Sequence, residues 1–150
     1  MSFAHHLETR KKNLEEFLAL LKEEQTLYSE VALPGQAMQA LAERKVALAA
    51  KAEQLHKMTN DGLAKLQMPQ GLEGAKQLAA QSNCLDTLMA IVDLAEKARA
   101  QNEVNGTLLQ MRWKPTKEMV AWLQKLSGET LYGPDGKSAR NSLGGVNARA

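Results

Sequence analysis

Leucine returns every seventh residue in two separate stretches of this chain. Leu7, Leu14 and Leu21 lead to Tyr28, and Leu41, Leu48 and Leu55 follow. A seven-residue spacing holds side chains on one narrow face of an α-helix over several turns, which is the pattern of helices packed side by side in a coiled-coil-like bundle. The Glu and Lys between these positions fill the other faces, as expected of amphipathic surface helices. Leu33-Pro34-Gly35 separates the two stripes, because Pro cannot continue the helical hydrogen-bond ladder and Gly accepts a reversed backbone.

Composition points the same way. Aromatic residues make up 4% of the chain and apolar residues 44%, so Leu, Ala and Met must fill the interior, with little of the β-branched and aromatic material that strands use. The expected fold is all-α: long antiparallel amphipathic helices in a left-handed bundle. Helices are predicted over about 3–31, 36–66, 83–113 and 115–127, forming one domain over 1–127, with a flexible tail over 128–150. Met38 and Met58 extend the second stripe. Ala40, Ala42, Ala47, Ala49, Ala50 and Ala52 surround it with small residues that favour helix and permit close approach. The interval 71–82, after Met68-Pro69-Gln70-Gly71, is compatible with a short helix. Ser82 or Asn83 is the expected N-cap of the third long helix, with Asp86 in its first turn.

A net charge of +2 with both signs interspersed and no basic run argue against a nucleic-acid partner. Cys84 stands alone, with no thiol-nucleophile arrangement around it, and reads as a small buried apolar residue. Met1-Ser2-Phe3-Ala4-His5-His6 lacks the pattern of a secretory signal, and no apolar run reaches the ~18 residues of a membrane span. The expectation is a soluble, cytoplasmic protein without membrane insertion. Glu53 and His56 have the Glu-x-x-His step of helical di-iron bundles, but no second copy exists, so they read as surface residues, and His5-His6 as a frayed end. Met58, Met89 and Met111 could line an adaptable binding surface, and read first as core filling. No catalytic constellation, metal site or cofactor loop emerges, and the chain is not expected to be an enzyme.

The most specific features lie between 102 and 136. Asn102 and Asn105 fall where the spacing from Leu88, Val92, Ala95 and Ala98 asks for apolar groups. Either the amides are buried and fix register, or they sit at the rim in water. Pro115 interrupts the helix or starts a new one. Met119, Trp122, Leu123 and Leu126 then share one face of a segment too short to be stable alone, at under about 12 residues, so it packs on the bundle or is completed by a partner. In the tail, Leu131-Tyr132 precedes a Gly133-Pro134-Asp135-Gly136 turn, and Tyr132 either fills a partner's pocket or folds back on the bundle.

Glu23-Glu24-Gln25 with Leu27, Glu43-Arg44-Lys45 with Leu48-Ala49, Asn102-x-x-Asn105-Gly106-x-Leu108-Leu109, and Thr130-Leu131-Tyr132-Gly133-Pro134-Asp135-Gly136-Lys137 occur in this order. In this the chain resembles the FlgN family of bacterial flagellar type III export chaperones over nearly its whole length. The resemblance implies a chaperone without cofactor that binds hook-associated junction proteins of the FlgK and FlgL type, prevents their premature assembly and delivers them to the export gate protein FlhA. It raises the export ATPase complex as a further partner. It also implies that the C-terminal portion holds cargo and that Tyr132, with Leu131, docks at the gate. A structural helical scaffold without cargo is the alternative.

Overall fold

The computed structural model describes residues 2–113 and 117–127. All regular structure among them is helical: α1 (Phe3–Tyr28), α2 (Gly35–Lys65), α3 (Leu72–Gln81), α4 (Leu85–Trp113) and α5 (Lys117–Ser127). They fall into two units, one ending at Asn105 and one beginning at Gly106.

In the first unit α1 is the central element. It starts cleanly because the Ser2 hydroxyl accepts the amide N–H of His5 at 3.1 Å, satisfying one of the donors that a helix start leaves free. Contacts to α2 pair Asn13 with Leu48 and Glu23 with Arg44, while Thr59 faces Arg10, so the two helices run antiparallel. Contacts to α4 pair Glu8 with Thr87 and Gln25 with Gln101, so α4 runs parallel to α1. This is an up-down-up arrangement in which α3 turns the chain between its second and third long helices.

The apolar core sits at one end of this arrangement. Leu7, Leu63, Ala75, Ala79, Cys84, Leu88 and Ile91 form one buried cluster, with Phe3, Leu14 and Met68 against it. Two turns of the same kind build that end. Gln67 and Asn83 both have positive φ, 55° and 54°. The following N–H groups close back on the preceding helix, Met68 to the Leu63 carbonyl and Cys84 to the Ala79 carbonyl, both at 2.9 Å. This is the Schellman way of ending a helix, with an apolar residue after the left-handed one turned inward. Asn83 therefore terminates α3 rather than capping α4, while Asp86 does lie in the first turn of α4. Gly74 lets α3 lie directly on the α2–α3 turn, since a Cβ there would collide with the Pro69 carbonyl.

Several positions differ from the sequence reading. α1 stops at Tyr28, short of Val31: Ser29 makes the last i→i−4 bond, to the Gln25 carbonyl, and the next N–H, of Glu30, reaches back only three residues to the Leu27 carbonyl. Met58 and Met89 are exposed rather than core, and Ala40, Ala42, Ala47, Ala49 and Ala50 are exposed too. For the α2 residues the cause is shared: α2 packs on α1 along one side and on α3 near its C-terminal end, so its other faces meet no helix among the described residues. His6 is not frayed but buried, with its ring Nε2 2.8 Å from the Thr59 hydroxyl. That hydroxyl also donates to the Leu55 carbonyl at 3.0 Å and accepts from Arg10 Nη1 at 2.8 Å.

Two tests follow from this packing. Leu63→Ala, at a fully buried position, should cost about 2–5 kcal/mol in urea unfolding, and Leu48→Ala, only half-buried, distinctly less. The second uses pH. Burial, followed by the charge of Arg10, lowers the His6 pKa below its ordinary 6.5, against a smaller opposing contribution from a hydrogen bond to the Leu55 backbone. Below pH 6.5 the unfolded chain therefore holds more protons than the folded one, and the stability that neutral His6 contributes is lost as pH falls through its folded value. Unfolding midpoints between pH 7 and 5 should fall more steeply for the wild type than for His6→Gln.

Candidate functional site

The far end of the first unit adds a polar network to its buried leucines, Leu20, Leu21 and Leu27. α1 carries a second series at seven-residue spacing, Phe3, Arg10, Phe17 and Glu24, offset by four from the Leu7 series, so two charged side chains occupy inward heptad positions. Glu24 is buried, 4% exposed. A carboxylate taken from water loses hydration worth several kcal/mol, so its oxygens must find charge and donors. Lys45 of α2 supplies the charge, its Nζ 3.1 and 3.3 Å from the two oxygens. Asn105 of α4 donates Nδ2–H to Glu24 at 3.0 Å and to the Leu21 carbonyl at 2.7 Å. Its Oδ1 accepts from Gln101 at 2.9 Å, and Gln101 also donates to Gln25 at 2.8 Å. Tyr28 completes the surroundings: burial first, then the charge and hydrogen bond of Glu24, push its phenol above the ordinary value.

This network brings together three of the motif segments singled out in the sequence. Glu23-Glu24-Gln25, Glu43-Arg44-Lys45 and Asn102-x-x-Asn105 converge on one node, with Glu23 and Arg44 adding an exposed ion pair at 2.9 Å beside it. The two asparagines part company. Asn105 is 1% exposed and fully bonded, whereas Asn102 is exposed. The inward face of α4 runs through Cys84, Ile91, Ala98 and Asn105, all buried and again spaced by sevens, not through Ala95 and Asn102. With both Glu24 oxygens and the Asn105 amide engaged, the node fixes the register of three helices.

Cys84 is buried as expected, and burial raises its thiol pKa, which keeps it protonated and unreactive. His56 and Glu53 are exposed, the His56 ring engaging Asn60 within its own helix. Among the described residues no group of three His, Cys, Asp or Glu side chains is arranged to hold a metal ion, and no helix is long and apolar enough to cross a membrane.

The second unit opens with the last turns of α4, where Gly106 is exposed and Leu108 and Leu109 are half-buried. α5 follows as a separate helix, with Glu118 in its first turn and Lys125 in its last, each charge favourable to the dipole at that end. It is the most strongly amphipathic of the five helices, and Trp122 is half-buried. The side chains of Met119, Leu123 and Leu126 lie outside the described residues, as do Leu131, Tyr132, Gly133, Asp135 and Gly136.

An all-α chain of this kind, bundled around a register-fixing polar node and continued by a short amphipathic helix, is a helical-bundle protein by fold. It belongs to the FlgN family: the family model described as FlgN protein matches residues 1–140. Two relatives from Yersinia enterocolitica, both called flagella synthesis protein FlgN, are 28% and 29% identical over 140 and 132 residues. These matches cover 92% and 87% of this chain, and 90% and 84% of the relatives. A relative of the same name from Proteus mirabilis is 40% identical over 55 residues, a match spanning 37% of this chain and 38% of that protein. No solved structure matches the chain.

The node is tested by contrast between its two asparagines. Asn105→Ala removes the Nδ2–H donor from the buried Glu24 carboxylate and the Leu21 carbonyl and should cost about 1–3 kcal/mol. Asn102→Ala, at an exposed position, should stay within about 0.5 kcal/mol of wild type in the same urea titration.

Proposed function

We propose that the chain is a cytoplasmic export chaperone that binds the hook-associated junction proteins of the flagellum, keeps them from assembling early and delivers them to the type III export gate. The family match over residues 1–140 carries this reading, and the flagella synthesis role in the names of the relatives agrees with it. The physical support is α5. A strongly amphipathic helix of 11 residues is marginal on its own in water, and it gains most of its stability from whatever covers its apolar face. Junction proteins joined through helical ends would present such a cover, by helix-in-groove packing.

In this reading Met119, Trp122, Leu123 and Leu126 hold cargo, and Leu131 and Tyr132 engage the gate protein FlhA. An aromatic side chain buries ~150 to 250 Å² when it fills a pocket, enough to anchor a short segment. Ordering that segment has a cost, so the gate contact is weak and reversible, which suits a carrier that must release its load.

Trp122→Ala combined with Leu126→Ala should weaken binding of a purified hook-associated protein at least tenfold while sparing the melting curve. A double variant that melts much earlier would instead place this face in a structural role. Tyr132→Ala should keep cargo affinity and lose binding to the FlhA cytoplasmic domain in a titration with the chaperone–cargo complex. Unchanged gate binding would remove Tyr132 from that contact.

A further inference from the structure

The two charged residues on the inward stripe of α1 are treated differently. Glu24 has a full set of partners. Arg10 has one neutral hydrogen bond, from Nη1 to the Thr59 hydroxyl at 2.8 Å, and no carboxylate among the described residues comes within ion-pair distance of it. Its guanidinium is partly desolvated, enough to lower its pKa, and the neighbouring His6 is held neutral partly by its charge. An uncompensated cation at a heptad position weakens a bundle, where an apolar side chain would stabilise it.

Arg10 lies in an open groove between α2 and α4. One part of about 490 Å³ is lined by Arg10, Thr59, Leu72, Leu88, Ile91 and Val92, among others, with mostly apolar walls. A second of about 310 Å³ continues past Leu14, Ala52 and Leu55, sharing Arg10, His56, Ile91 and Ala95 with the first. Its α4 wall from Leu88 to Arg99 is about 16 Å long at 1.5 Å per residue, the length of three helical turns. The other charges do not serve Arg10. Glu96 is held by Arg99 at 2.6 Å, and Glu53 is exposed at the edge, outside ion-pair reach.

An apolar channel the length of three helical turns, with a lone cation on its floor, is complementary to an amphipathic helix that carries an acid within its apolar face. We infer that this groove is a second cargo contact, receiving a helix of the hook-associated protein whose Asp or Glu pairs with Arg10. The inference rests on the chaperone reading but concerns a different surface from α5. Desolvated Arg–carboxylate pairing is short, charge-assisted and bidentate where geometry allows, so it supplies specificity that an apolar groove alone lacks.

The test titrates full-length chain with a purified hook-associated protein and follows melting in parallel. Arg10→Met keeps the aliphatic stem and removes the charge. It should weaken binding about tenfold or more while leaving the melting temperature unchanged or raised, and Arg10→Lys should recover part of the affinity. Ala95→Trp, which fills the groove from an exposed wall position, should weaken binding likewise. Wild-type affinity in both Arg10→Met and Ala95→Trp, alongside loss in the α5 double variant, would overturn the groove and leave the chaperone reading standing. An Arg10→Met variant that melts earlier and is not rescued by Lys would make Arg10 a structural residue, and the proposal would fall. No binding by the wild type would remove both readings together.

Discussion

A buried carboxylate is the constraint on which the alignment of the long helices depends. Glu24 is compensated only when Lys45 of α2 and Asn105 of α4 arrive at the same point on α1. Slipping either helix by one turn, about 5.4 Å, would leave a desolvated charge without its donors, a loss of several kcal/mol. Leucine stripes tolerate such slips far better, since one Leu replaces the next at little cost. The node adds little net stability over an apolar substitute; what it contributes is the penalty on every wrong register.

The bundle's two ends are therefore built on different physics. At one end Leu7, Leu63, Ala75, Ala79 and Leu88 exclude water. At the other, buried Leu20, Leu21 and Leu27 lie beside a hydrogen-bonded charge network that links the last turns of α1 to Lys45 of α2 and Asn105 of α4. The division has a consequence for function. Residues beyond the node belong to a separate unit, so a register-locked bundle precedes the amphipathic α5 in the chain. The groove beside Arg10 is walled by residues of α2, α3 and α4, and none of the described carboxylates comes within ion-pair distance of it.

The sequence reveals the all-α class and the long helices, because leucine periodicity acts locally. It also supports the family, whose motif residues can be read in order. It hides how those motifs meet. Glu24 and Arg10 look like surface charges in a helix rich in Glu and Lys, and only the parallel series Phe3, Arg10, Phe17 and Glu24 marks them as inward. The series Cys84, Ile91, Ala98 and Asn105 was equally open to view but mixes residue types too varied for a hydropathy pattern to register. His6 escapes notice because its partner, Thr59, is fifty-three residues away. Met58 and Met89 mislead for the opposite reason: their periodicity is real, but both side chains are exposed among the described residues.

The central claim is that Glu24 holds one end of the bundle independently of the apolar core at the other. Native-state hydrogen exchange on full-length Glu24→Gln addresses it directly, because the substitution keeps the shape and removes the charge. The account predicts that amides near Leu21, Leu48 and Ala98 lose protection, while those near Leu7, Leu63 and Leu88 keep theirs, the two ends opening separately. Protection unchanged throughout, or lost equally at both ends, would contradict it.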